Sequence, residues 1–175
     1  MCRWLQEVNQ MSKDEFVHAF GWVFEHSPWF AERLWTKRPF SSLRDVQRAV
    51  AEVIEQAGEE ERLALIRSHP DLGSTLSLSP ASLREQRSAG LHGLDAKTAD
   101  MLRDLNASYR ARFGFPFVMA VHGKNIHDVL AALRARLKNT QADEQSKALK
   151  EIGKIAFFRI RDRMEHAPGS DFQPE

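Results

Sequence analysis

The chain has 175 residues, with 25 Lys plus Arg against 24 Asp plus Glu, a formal net charge of +1 and 42% hydrophobic residues. That composition supplies a core and excludes a disordered chain, and the near balance of charge argues against a nucleic-acid grip, which depends on a basic excess. No window approaches ~18 uninterrupted apolar residues, and Met1 to Trp22 lacks the apolar core and small-residue cleavage site of a signal peptide, so no membrane association is expected. The single cysteine, Cys2, cannot form an intrachain disulfide and fits a reducing, cytoplasmic setting.

Leucine, alanine, arginine and glutamate favour helix along the whole length. Ser12 with Glu15 three residues on forms a capping box that opens a segment carrying Phe16, Ala19, Phe20 and Val23. Pro28 starts a short helix with Phe30, Leu34 and Trp35, and Pro39 stops it. Ser42 with Asp45 opens the next, whose stripe is Val46, Val50, Val53, Ile54 and Ala57, ending at Gly58; a further helix spans 60–67. His69-Pro70-Asp71-Leu72-Gly73 interrupts the pattern, because Pro70 lacks an amide hydrogen and biases His69 away from helical geometry. Ser79-Pro80 restarts the chain as cap and first helical residue, running to Ala89-Gly90, and Asp95 caps a long helix with Ala99, Leu102, Leu105 and Tyr109 on one face. Residues 112–119 are strongly apolar but broken by Gly114 and Pro116, which suits a buried extended stretch. Asn125 opens a helix through Val129, Leu130, Leu133 and Leu137, and a last one covers 143–166. The expectation is all-α, one domain of seven or eight helices over residues 1–166, with a tail at 167–175.

Among seven histidines, no His-Glu-x-x-His occurs and no third ligand accompanies His69 and Asp71, so no metal site is expected. No Gly-x-Ser-x-Gly elbow and no phosphate-binding glycine loop is present. Two polar runs remain that a core does not require, Ser68-His69-Pro70-Asp71-Leu72 and the stretch from Ser82 to Leu91. On the second, Ser82, Glu85 and Gln86 are three and four residues apart and share a helix face. A solvated helix surface with a capping His69 accounts for the same pattern. Trp4, Trp22, Trp29 and Trp35 read as core or subunit contacts, and His18, His92 and His122 as structural or pocket-edge residues.

Three motifs in fixed order sharpen the reading: His69-Pro70-Asp71-Leu72, then Ser82-x-x-Glu85-Gln86-x-x-Ala89-Gly90-Leu91, then Asn106-x-x-Tyr109-x-x-Arg112-Phe113-Gly114-Phe115-Pro116-Phe117-Val118. With Asn9, Phe16 and Arg38-Pro39-Phe40, they resemble the OHCU decarboxylase family, over nearly the whole chain. The resemblance implies an all-helical, cofactor-free decarboxylase, typically a homodimer. It would convert 2-oxo-4-hydroxy-4-carboxy-5-ureidoimidazoline to (S)-allantoin in urate breakdown, after urate oxidase and hydroxyisourate hydrolase. It places the essential histidine on His69, the catalytic glutamate on Glu85 and a substrate contact on Ser82. It extends contacts to Pro70 and Gln86 and to the backbone of Phe117, Val118, Met119 and Ala120. A ligand-binding arginine falls on Arg159, with Arg161 as the neighbouring alternative register. Two other classes stay open: a helical ureide hydrolase using water, which would release urea or ammonia, and a non-catalytic helical interaction module, in which the His69–Glu85 region would be closed and dry.

Overall fold

A computed structural model describes residues 3–74 and 78–165; Cys2, His166 and the expected tail from Ala167 lie outside them. In chain order the helices are α1 (Arg3–Gln10), α2 (Lys13–Phe20), a 3-10 turn (Gly21–Val23), α3 (Pro28–Trp35), α4 (Leu43–Gln56), α5 (Glu59–Arg67), α6 (Pro80–Ser88), α7 (Ala96–Phe113), α8 (Ile126–Arg136) and α9 (Gln141–Glu165), with no strand among the described residues. The all-α expectation holds. Eight of the nine α-helices among the described residues are those marked by the sequence, and α1 is the addition. Its end is secured from far along the chain: Arg38 Nη1 donates to the carbonyls of Val8, Asn9 and Met11 at 3.0, 3.1 and 2.6 Å, and the Asn9 side chain makes two 2.8 Å bonds to the backbone of Phe40. A helix end satisfied by residues some thirty positions away carries no local cap signal.

Helix starts that do carry local signals form as expected. Ser12 and Glu15 make the reciprocal capping box, Asn125 does the same with Asp128, and Ser79, with Pro80 behind it, accepts from the Ser82 amide. Hydrogen bonds from Ser12 hold the Glu15 carboxyl below its ordinary range, and those from Thr98 do so for Asp95.

Backbone contacts group the chain into two compact units, residues 1–58 with 153–175, and residues 59–152. In the first, α2 and α3 bury aromatic rings: Phe24 stacks on Phe30 with centroids 3.8 Å apart, and Trp4 meets Phe20 edge-on at 5.9 Å. The α4 stripe of Val46, Val50, Val53 and Ile54 is buried as its periodicity requires, and so is Ile160 of α9. Each such side chain contributes roughly 1.5–3 kcal/mol of burial.

In the second unit the buried face of α7 is Leu102, Asn106, Tyr109 and Phe113. Tyr109 packs edge-on against Phe117 at 5.2 Å, and its hydroxyl donates a very short hydrogen bond to the fully buried Glu144. Arg136 pairs with the same carboxylate at 2.9 Å, donates to the Val118 carbonyl at 2.8 Å and lies over the Phe117 ring at 4.5 Å. Asn139 gives Glu144 another bond at 2.7 Å. Burial, and then the Glu144 hydrogen bond, push the Tyr109 phenol well above its ordinary value, so it stays a donor. This set of contacts holds the irregular segment 114–121 in place. The helical pattern of α8 pointed to Leu137 as the inward residue; it is Arg136 that is buried instead, because Glu144 awaits it. Replacing Arg136 with Met should cost about 3–5 kcal/mol, since buried Glu144 is then left without its cation; urea denaturation of the two proteins measures the difference.

Candidate active site

The turn that follows α5 is held by hydrogen bonds at successive residues. His69 is buried, its amide donates to the Ile66 carbonyl at 3.2 Å, and ring Nδ1 lies 2.9 Å from the Leu65 carbonyl. A carbonyl only accepts, so Nδ1 carries a hydrogen; when the ring is neutral, Nε2 is the nitrogen with the lone pair. Pro70 then ends any helical continuation. The next three residues are each tied down: Arg110 Nη2 to Asp71 Oδ2 at 2.9 Å, Asn106 Nδ2 to the Leu72 carbonyl at 2.8 Å, and the Gly73 amide to Gln86 Oε1 at 2.8 Å. Gly73 has φ 79°, and a Cβ there would collide with the Leu102 side chain. Two independent constraints therefore demand glycine.

On α6, Ser82 and Gln86 are buried and Glu85 is half-buried. The Gly73–Gln86 bond joins the His69 turn to this helix at the residue beside Glu85. It also commits the Gln86 oxygen, so the amide NH2 is what Gln86 offers elsewhere. Among the backbone groups expected at a ligand, two already serve the fold: the Val118 carbonyl accepts from Arg136, and the Ala120 amide donates to the buried carboxylate of Glu151 at 2.9 Å. Phe117 is fully buried and Met119 half-buried.

Arg159 belongs to the first unit. It is 3% exposed, pairs with Glu25 at 2.9 Å and donates to the Val23 carbonyl at 3.0 Å. Arg161 is more open; it lies against Asp162 and Glu165 of its own helix and over the Phe158 ring. A buried guanidinium facing an inward carboxylate distinguishes Arg159 from its neighbour. Glu25 escaped sequence reasoning. The one local hint is the stiff Ser27-Pro28 helix start just after it, where His26 takes a left-handed φ of 52° and the chain turns Glu25 inward.

A cavity of about 820 Å³ lies beside the His69 turn, bordered by Asp71, Leu72, Gly73, Gln86, Asn106 and Arg110 among others. His69, Ser82 and Glu85 are not among its lining residues. His92 is an exposed lining residue of it, whereas His18 and His122 are simply exposed. Among the described residues, no three His, Cys, Asp or Glu side chains converge closely enough to hold a metal ion, and no helix is long and apolar enough to cross a membrane.

Comparison with known proteins gives a consistent result. Residues 9–161 match the family described as OHCU decarboxylase. A 2-oxo-4-hydroxy-4-carboxy-5-ureidoimidazoline decarboxylase from Haloferax volcanii is 43% identical over 159 residues, covering 91% of this chain and 95% of the relative. Among solved structures, an (S)-allantoin synthase superposes with a TM-score of 0.74 at 26% identity, over 91% of this chain and 53% of that one. An OHCU decarboxylase crystallised in the presence of (S)-allantoin superposes with a TM-score of 0.67 at 25% identity, over 86% of this chain and 97% of that one.

The two arginines of α9 should separate on substitution. Arg159→Met leaves Glu25 buried without its cation and should lower stability by about 3–5 kcal/mol, whereas Arg161→Ala should stay within about 1 kcal/mol. Thermal and urea unfolding of both variants distinguish the roles.

Proposed function

The chain belongs to the OHCU decarboxylase family and is a carboxy-lyase of that type, and on this premise we propose how its residues carry 2-oxo-4-hydroxy-4-carboxy-5-ureidoimidazoline to (S)-allantoin. The substrate's C4 bears both the carboxylate and a hydroxyl and adjoins a ring C=N at C5. When the C4–carboxylate bond breaks, its electron pair forms a C4=C5 double bond and the imine pair moves to nitrogen, which takes a proton. The resulting enol loses its hydroxyl proton as C4 becomes a carbonyl, and C5 gains a proton on one face. The substrate is its own electron sink, and positioning and local charge are the tasks left for protein groups.

His69 is assigned the hydroxyl proton. The observation that carries this is the Nδ1–Leu65 carbonyl contact, which leaves Nε2 as the basic nitrogen and gives the ring a fixed orientation. Glu85 is assigned to hold the hydroxyl or to orient the imidazolium once formed; its half-buried place on α6, beside the residue that binds the His69 turn, supports the role. Ser82 and the Gln86 NH2 supply polar contacts from the same helix, and Pro70 a rigid wall. Because Val118 and Ala120 turn backbone groups toward Arg136 and Glu151, and alternate residues of an extended run face opposite ways, the amide and carbonyl of Met119 are the pair we assign to the substrate's amide-like edge. Phe117, Val118 and Ala120 frame that pair. Arg159, whose guanidinium is paired with Glu25 and bonded to the Val23 carbonyl, is the cation the family resemblance assigns to the carboxylate or ureido oxygen.

The same proposal includes a homodimer in a cytoplasmic setting, fed by urate oxidase and hydroxyisourate hydrolase, whose product is the unstable substrate. Coupling those two enzymes to this protein and following optical activity tests the reaction: one enantiomer of allantoin should appear faster than in the uncoupled mixture. In that assay His69→Asn should fold normally and lose turnover, and near-normal turnover would remove His69 from the mechanism. Glu85→Gln should slow the reaction by at least about tenfold, equivalent to ~1.4 kcal/mol of transition-state stabilisation; an unchanged rate across the neutral range would exclude the role given to it.

A further inference from the structure

Asn106 is an anomaly on α7. It occupies the inward stripe between Leu102 and Tyr109, at 7% exposure, where the helical period calls for an apolar side chain. Its Nδ2 binds the Leu72 carbonyl at 2.8 Å, but its Oδ1 is buried without a hydrogen-bond partner. The unmatched oxygen is a cost that the bond to the Leu72 carbonyl has to offset. What the amide does is fix a backbone carbonyl three residues after His69. One helical turn on, Arg110 holds the Asp71 side chain at 2.9 Å, so the same edge of α7 grips two successive residues of the turn. The Asp71–Arg110 pair is substantially exposed and therefore the weaker hold.

Resting on the assignment of proton exchange to His69, we propose that Asn106 is a positioning residue for that imidazole, with Arg110 as its auxiliary. The His69 ring is anchored through Nδ1 to Leu65 of α5. The direction in which the chain leaves His69 is set by Pro70 and by the clamp on Asp71, Leu72 and Gly73. With the clamp at Leu72 closed, the backbone angles at His69 are fixed from both sides, and Nε2 presents one direction to the substrate. With it open, the ring keeps its neighbours but samples other orientations and loses the Leu65 contact part of the time.

The test is Asn106→Leu, which removes the donor and the orphaned oxygen together. Its melting temperature should stay close to that of the parent, while kcat falls by about tenfold or more and KM remains within about threefold, the pattern of an interaction that matters chiefly in the transition state. A second readout is the nitrogen NMR spectrum of the His69 ring. The parent should show protonated Nδ1, and the variant a mixture in which protonated Nε2 has risen, a change that a purely structural role would not produce. Should Asn106→Leu fail to fold, Asn106→Ser, which leaves room for a water at the Leu72 carbonyl, is read by the same two measurements. A folded variant with the parent's kcat and an unchanged His69 spectrum overturns the proposal. His69→Asn measured alongside separates the two levels: if it is inactive while Asn106→Leu is normal, the positioning role alone falls, and if it is active, the role given to His69 falls first.

Discussion

Glu144 is a carboxylate with no exposed surface, and the second unit is organised around making that tolerable. Three side chains meet it, from Tyr109 on α7, Arg136 on α8 and Asn139 in the following loop. A buried ion pair adds little to stability by itself, because desolvation offsets most of the attraction. Its geometric effect is larger. Each donor must sit where the carboxylate can accept it, so the ends of α7, α8 and α9 cannot slide independently. Arg136 has donors to spare and passes the constraint on, binding the Val118 carbonyl and covering the Phe117 ring. An apolar, glycine- and proline-broken stretch that could not hold a shape of its own is thereby given one.

A second consequence runs along α7. Its inward stripe carries Asn106 and Tyr109, three residues apart and on one face. Tyr109 touches Phe117, and Asn106 holds the turn after His69. One rigid helix thus refers both irregular segments to the same frame. Loops carry function best when a regular element positions them, and here the referencing is done by side chains, since the segments have little periodic structure of their own. In the first unit the arrangement is simpler: Arg159 is held by one carboxylate, Glu25, and one carbonyl, Val23, at the foot of a turn that His26 enters in a left-handed conformation.

Family membership defines the type of reaction. A reaction whose substrate accepts its own electron pair asks for a basic nitrogen of defined tautomer, a carboxylate, a forked cation and an amide-recognising edge. Nothing in that list requires a large conformational change. It requires side chains that do not wander, and the hydrogen bonds around residues 69–73 and 118–120 are the kind of restraint that provides it.

The helices were legible from the chain because their signals are local: Ser12 with Glu15, Ser79 with Pro80, Asp95, and Asn125 each bond to amides within three residues, and apolar stripes such as Val46 to Ile54 follow from the helical period alone. The fixed-order motifs likewise identified the family and drew attention to His69 and Glu85. What lay outside the reach of sequence was the inward charge. Glu25, Arg136, Glu144 and Glu151 all carry formal charges that hydropathy assigns to solvent, and each is buried because the fold brings a partner to it: Arg159 to Glu25, Tyr109 and Arg136 to Glu144, and the Ala120 amide to Glu151. The same holds for α1, whose end is capped by Arg38, and for Asn106, whose bond to Leu72 spans 34 residues. A side chain's preference for water is a property of the residue, but whether that preference can be satisfied in the interior depends on which groups the folded chain brings within hydrogen-bonding distance, and only the tertiary structure decides that.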